Sequence, residues 1–338
     1  MNTIRNIGVT SAIAVMVVFC AILVSKAGKI EYRFDAPGAN ASSTREKMGQ
    51  SKDGDLIHIV MGGDVMFDRN IRQRGEKLGY THFFEQLKNF FDKADLVVVN
   101  LEGPITTNDS ETVLKDGTYT KKLKFTFATS TALVLKEVGI DLVSLANNHT
   151  DNFLYEGLVE TKEWLSRNGV RYFGDPWNTT ATEAKFEISG IKVAFVGYHY
   201  FLGGFERVLA DVSRLDGEGY FVIVMPHWGE EYFKTHSEIM EEKAVELIEY
   251  GADAIVGAHP HVVMDHDWFG DVPVFYSLGN LLFDQYFSNE VKRGNIIRLN
   301  IRKVGFGAKI ESVEIFEVYN SSDKGIMFDE TNVKVEVM

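Results

Sequence analysis

Six times along the chain a short apolar run, rich in β-branched residues, stops abruptly in polar residues or glycine. The runs are LIHIVMGGD (56–64), LVVVNLEG (96–103), LVSLANNH (142–149), FVIVMPHWGEE (221–231), AIVGAHPH (254–261) and VFYSLGN (274–280). Runs of this length and composition are buried strands. Between them lie THFFEQLKNFFDKA, TSTALVLKEVG, YEGLVETKEWLSRNG and SEIMEEKAVELIEYG, with apolar residues at three- and four-residue spacing and several ending in glycine, the pattern of helices. Alternating strands and helices predict an α/β domain with much parallel sheet. EAKFEISGIKVAFVGYHY, with its SG turn, and NIIRLNIRKVGFGAKIESVEIFEVY read as antiparallel additions, so the expectation is two mixed sheets with helices outside.

In open α/β folds the carboxyl ends of parallel strands share one edge, and that edge carries the site. The polar residues at these strand ends have the chemistry of metal ligands: Asp64 and Glu102 are carboxylates, Asn148 offers an amide oxygen, and His227, His259 and His261 offer imidazoles. That mixture suits Mn, Zn or Fe and is too rich in nitrogen for a calcium cage. In His-Pro-His an extended backbone would turn His259 and His261 to one face, with Pro260 forbidding a helix. Each residue has an ordinary structural role open to it, a cap, a turn or a surface charge. Their joint placement at successive strand ends is what singles them out. His58, His82, His199, His236 and His266 read as structural, His199 being the first to revisit.

The first residues are of another class. Between Arg5 and Lys26 nothing is charged, and IGVTSAIAVMVVFCAILVS (7–25) has no polar face. About 20 such residues cross a bilayer as one helix. The stretch lacks the small-x-small exit of a cleaved signal, so residues 1–26 are expected to be a cytoplasmic stub and a retained transmembrane signal anchor. Residues 27–54 read as a flexible tether, 55–319 as the domain, and 320–338 as a polar C-terminal tail that is either loosely held or a last edge strand. The lone cysteine, Cys20, sits inside the apolar stretch, so the domain has no disulfide. A net charge of −13 over 338 residues argues against a nucleic-acid groove.

In order, GGDVMFDR, NLEGPIT, SLANNHTDN, PHWGEEY, GAHPHVV and YSLGNLLF, spanning about 55–285, resemble the CapA-type poly-γ-glutamate capsule synthesis proteins. That family is similar in turn to the calcineurin-like metallophosphoesterases. The resemblance implies a metallophosphatase-like four-layer αββα sandwich of mixed sheets, with one or two divalent ions. It implies that Asp64 and His261 hold a first metal, that Glu102 stands at the bridging position, and that Asn148, His227 and His259 hold a second. His149 would then be the catalytic proton donor or oxyanion partner. Asn147 is expected to tie down the loop backbone, and Asp151, Glu230, Ser277 and Asn280 to support the site or meet substrate. Two positions depart from the related pattern: Met66 stands where an imidazole is usual, and Asn152 where a carboxylate is usual, with Asp151 one residue early.

Two functional readings fit. One is a membrane-anchored, extracytoplasmic, metal-dependent hydrolase of phosphoesterase type, acting in poly-γ-glutamate synthesis or export. The other is a non-catalytic accessory on the same fold that binds the capsule polymer or its membrane synthase. Both place the protein at the cell membrane.

Overall fold

A computed structural model describes residues 54–179 and 183–337. The expected membrane anchor (1–26) and nearly all of the tether (27–54) lie outside the described residues. Among the described residues no helix is long and apolar enough to cross a membrane.

Two mixed sheets form the frame. The eight-stranded sheet is built on β1 (Leu56–Val65), which pairs in parallel with β2 (Leu96–Leu101) and β11 (Asn280–Leu282). Parallel pairing continues to β3 (Leu142–Ser144) and β4 (Arg171–Phe173). On the other side of β1 the antiparallel strands β12 (Arg293–Val304), β13 (Gly307–Ser321) and β14 (Gly325–Val337) extend it. The chain after Asn320 is thus the outermost strand of this sheet. The six-stranded sheet runs β5 (Glu183–Ile188), β6 (Ile191–His199), β7 (Phe221–His227), β8 (Ala254–Val256), β10 (Val272–Phe275), β9 (His266–Phe269). Its central four strands are parallel and its edges antiparallel. The α/β class, the mixed sheets and the hairpin at Ser189-Gly190 agree with the sequence reading.

Side-chain alternation explains the layering. Along β1, Ile57, Ile59 and Met61 enter one apolar core with Val193 and Phe195 of β6 and Ile223 and Met225 of β7, which is the interface between the sheets. Val60 and Val65 face the opposite way, into a core shared with Ala132 and Leu135 of α3 (Thr131–Val138) and Leu158 and Leu165 of α4 (Leu154–Arg167). On the far side, Val222 and Val224 of β7 meet Val208 and Val212 of α5 (Phe205–Gly217) and Ala244 and Leu247 of α6 (Glu238–Glu249). Helices therefore cover both outer faces.

Helix boundaries follow local chemistry. The Ser237 side chain caps α6 by accepting from the Met240 N–H, with Glu238 and Glu241 in the first turn. Gly139, left-handed at φ 98°, ends α3. The helix expected over 81–94 is instead split into a 3-10 turn (Tyr80–Phe84) and a single turn, α2 (Lys88–Phe91). Phe83, Phe84, Leu87, Phe90 and Phe91 are all fully buried there. That many apolar groups exceed one stripe of a regular helix, and breaking it lets each reach the core. The sequence reading passed over α1 (Arg69–Leu78), a mostly polar helix whose buried residues are Ile71 and Gly75.

The glycine pair before Asp64 sets how closely the strands meet at the site. A Cβ on Gly63 would lie 1.8 Å from the Gly279 carbonyl oxygen, which accepts the Asp64 N–H at 3.0 Å. Gly63→Ala should therefore lower unfolding stability by about 1–3 kcal/mol, as overpacking does. Gly307→Ala, whose Cβ would meet nothing closer than 4.0 Å, should stay within about 0.5 kcal/mol. Urea unfolding of the two variants checks this.

Candidate metal centre

The carboxyl ends of β1, β2, β3, β7 and β8 and the start of β11 converge. Among the described residues, Asp64, Glu102 and His227 each bring one ligand atom within 4.8 Å of the others, and all three are buried. Asn148 and His259 join at His227: Nε2 of His227 lies 2.9 Å from Asn148 Oδ1 and 3.1 Å from His259 Nδ1. His261 closes the other side, its Nδ1 3.3 Å from Asp64 Oδ2 and its Nε2 3.6 Å from Glu102 Oε1. All six residues expected as ligands are brought together.

The hydrogen bonds show which groups are satisfied within the protein. Asp64 accepts from the Asn100 amide at 2.8 Å through Oδ1 and from the His259 N–H at 3.3 Å through Oδ2. Asn147 donates to Asn100 Oδ1 and to the Leu101 carbonyl, while its own Oδ1 accepts from the N–H groups of His149 and Thr150 and from the Thr150 hydroxyl. It is the expected loop tie. Asn280 Oδ1 sits 3.0 Å from His261 Nδ1 and its amide donates to the His261 carbonyl. The Ser277 hydroxyl donates to the Val262 carbonyl and accepts the Gly279 N–H. Both fix the loop that carries His261.

Glu102 is the exception. It is fully buried, and neither carboxylate oxygen has a hydrogen-bond partner. Burial raises its pKa well above the usual carboxylate range, and the nearby Asp64 charge adds to the rise. A carboxylate in such a place is stabilised either by a proton or by a cation. The donors around it fit a divalent ion. Two ligand atoms each about 2.0–2.1 Å from one ion stand roughly 3–3.4 Å apart, which is the spacing of the His227, Asn148 and His259 atoms.

His227, His259 and His149 are pushed towards the neutral form, the form that ligation requires. Burial first, then His259 and His199, hold His227 well below its ordinary value. Burial and the His261 ring bring His259 down to about 3 against the pull of Asp64. Burial also brings His149 down to about 4. Its Nδ1 faces Asn152 Oδ1 at 3.1 Å, an oxygen that also accepts the Phe125 N–H at 2.7 Å, and its ring lies 4.3 Å from that of Phe125. Asn152 therefore does the orienting that a carboxylate would do, without adding charge.

Several positions differ from the sequence reading. His259 and His261 are not extended: their φ values are +102° and +59°, and a tight left-handed turn brings the rings together. Such backbone costs non-glycine residues of order 1–3 kcal/mol and collects at functional sites. Glu230 is not brought into the cluster. Trp228 is anchored to the Ala258 and Tyr276 carbonyls, Gly229 at φ +86° turns the chain outward, and Glu230 is exposed beside a cavity of about 220 Å³ with Phe233 and Ile239. Met66 is buried in the helix-side core, and its sulfur accepts the Asp68 N–H. Asp151 is half-buried, and its charge, with that of Asp175, acts on His199.

Three neighbours were not counted among the expected site residues. Asn100 joins Asp64, Asn147 and His227, its Nδ2 3.3 Å from His227 Nδ1. It sits one residue before a strand end, the only signal it gave. Arg69 opens α1 at φ +52°, pairs with Asp284, and lies 5.1 Å and 5.3 Å from the Phe125 and Phe283 ring centres. Its charge acts on both Glu102 and His149. The third is His199. The other histidines read as structural are engaged elsewhere: His58 with Asn300, His82 with Glu85, His236 with Asp265 and Tyr276, and His266 with Glu336.

Residues 58–285 match the family model described as bacterial capsule synthesis protein PGA_cap. The chain is similar to the capsule biosynthesis protein CapA of Bacillus anthracis, 26% identical over 275 residues, which are 75% of this chain and 66% of that protein. It is also similar to the PGA biosynthesis protein CapA of Bacillus subtilis (strain 168), 24% identical over 282 residues, 78% of this chain and 73% of that one. Among solved structures, the calcineurin-like phosphoesterase YfkN from Bacillus subtilis aligns over 78% of this chain and 90% of its own, at 13% identity and a TM-score of 0.48. That degree of overlap carries no argument about this chain.

Glu102 gives a pH test on chelator-treated protein. The folded state keeps a proton that the unfolded state releases above about 4.5, so this residue's contribution to stability falls as pH rises. Relative to wild type, Glu102→Gln should gain stability steadily from about pH 5 to 8. Urea unfolding of both proteins across that range measures it, and parallel curves would contradict the buried, unpaired assignment.

Proposed function

We propose, from the premise that this chain belongs to the bacterial capsule synthesis protein family PGA_cap, that its domain is a metal-dependent hydrolase-like protein of poly-γ-glutamate capsule synthesis or export. The observation that carries the reading is the buried carboxylate of Glu102, unpartnered among Asp64, His227 and His261. Asp64, Glu102 and His261 would hold one divalent ion, and Asn148, His227 and His259 another, with Mn, Zn or Fe suited to the donors. When bound, such ions supply Lewis acidity and a hydroxide-like water at neutral pH.

The protein's own groups set the rest of the chemistry. Burial brings His149 down to about 4, so its ring would first accept the proton released by the attacking water and then pass that proton to the leaving oxygen. This refines its expected role as donor. Asn147 and Asn152 fix where the ring stands. Arg69, near both Glu102 and His149, is suited to hold a substrate phosphate or carboxylate. The site is otherwise apolar-walled, with Phe125, Phe201 and Phe283 beside its histidines.

The apolar stretch at 7–25 supports attachment to the cell membrane by a single pass, with the domain on the extracytoplasmic side, beside the synthase or the emerging polymer. Metallophosphatase-like architecture is part of the same proposal, supported by two mixed sheets with helices on both outer faces. Met66 favours the second reading, an accessory that binds polymer without cleaving it. The helix-side core takes the side chain that would otherwise supply an imidazole to the first ion.

Metal analysis of the full-length chain, with hydrolysis assays on a phosphodiester and on poly-γ-glutamate, tests the proposal. Tightly held Mn, Zn or Fe is expected, with Asp64→Asn and His227→Ala each losing most of it. Activity lost in His149→Ala at unchanged metal content would establish catalysis. Metal-replete protein inactive on both substrates but retaining polymer would support the accessory role, and metal-free protein that cannot be loaded would contradict both metal readings.

A further inference from the structure

His199 is the last residue of β6, and its Cα lies opposite that of His227, the last residue of β7. Neighbouring residues in register on parallel strands project to the same side of a sheet, so both rings leave their strands at the same edge and on the same face. Their centroids are 6.0 Å apart. Gly197 brings the other sheet up to this point: a Cβ there would lie 2.7 Å from Gly174 Cα and 2.8 Å from Ala146 Cβ. The loop that begins at Ala146 and carries Asn148 therefore starts against the strand that ends at His199.

The ring of His199 is fixed and its tautomer is defined. Nδ1 lies 2.6 Å from the Pro176 carbonyl oxygen, which can only accept, so Nδ1 carries the hydrogen. The backbone on the same residue is held as well, its N–H donating to Asn178 Oδ1 at 2.9 Å. Nε2 is thus left with a bare lone pair. It is buried in a residue only 2% exposed, and it has no hydrogen-bond partner. An imidazole whose one nitrogen donates to a backbone carbonyl, leaving the other bare, is the arrangement in which histidines bind metals. The ordinary structural histidine uses both nitrogens or exposes one to water.

We propose that His199 is a further nitrogen donor of the centre, adding Nε2 to the ion held by Asn148, His227 and His259. This rests on the metal-binding reading above. It makes that ion the more nitrogen-rich of the two. It also names the ions concerned: a fourth donor of this kind favours Zn or Co over Mn.

The test is a titration of the chelator-stripped full chain with Co²⁺, followed by the visible ligand-field spectrum. Wild type should develop an intense, low-coordinate spectrum, and His199→Gln should bind about 10-fold or more weakly with a different band shape. Long-range ¹H–¹⁵N spectra of histidine-labelled wild type provide an arm that needs no variant. Zn²⁺ should move the His199 Nε2 resonance from the range of a bare imidazole nitrogen to that of a ligated one. Equal affinity and spectrum in His199→Gln, or an unmoved Nε2 resonance in protein that takes up Zn²⁺, would overturn this proposal alone. Wild type that binds neither ion would overturn the metal reading and this proposal together.

Discussion

A carboxylate sealed at the end of β2 with nothing to accept from is the constraint on which the rest of the site depends. Glu102 is fully buried, and neither of its carboxylate oxygens has a hydrogen-bond partner. What surrounds it is another carboxylate, Asp64, with His261, and with His227 and His259, whose pKa values burial holds low. In the low dielectric of an interior this set is unfavourable without a compensating positive charge. The amides and hydroxyl around it are satisfied within the protein: Asn100 and Asn147 form one chain of amides, and Asn280 and Ser277 another group.

Much of this was legible in the sequence because strand ends announce themselves. A buried strand cannot carry Asp, Glu or His in its middle without penalty, so runs such as LVVVNLEG and FVIVMPHWGEE mark where backbone leaves the core. Parallel pairing then places those marks on one edge, and all six expected ligands are found there. What sequence could not show was anything depending on backbone twist or on cross-strand register. The His-Pro-His turn is left-handed where an extended one was expected. Glu230 is turned out by Gly229, and the apolar excess around Phe83–Phe91 breaks what periodicity alone reads as one helix. His199 closes a strand like the others, but its importance appears only through its register with His227.

The departures from the related pattern also acquire physical meaning. Asn152 preserves the geometry of His149 while withholding the charge that would keep it protonated. Met66 is part of the core that packs the helices against the sheet. A polar replacement there would have to displace apolar contacts as well as add a ligand. Together they describe a centre that leans towards its imidazole-rich half, with Arg69 as a fixed cation beside it.

The most direct measurement is anomalous X-ray diffraction from crystals soaked in Mn²⁺ or Zn²⁺. The account requires an anomalous peak among Asp64, Glu102 and His227, with Glu102 oxygens within bonding distance of it. No peak at that position, with the Glu102 carboxyl instead protonated and hydrogen-bonded to Asp64, would contradict it.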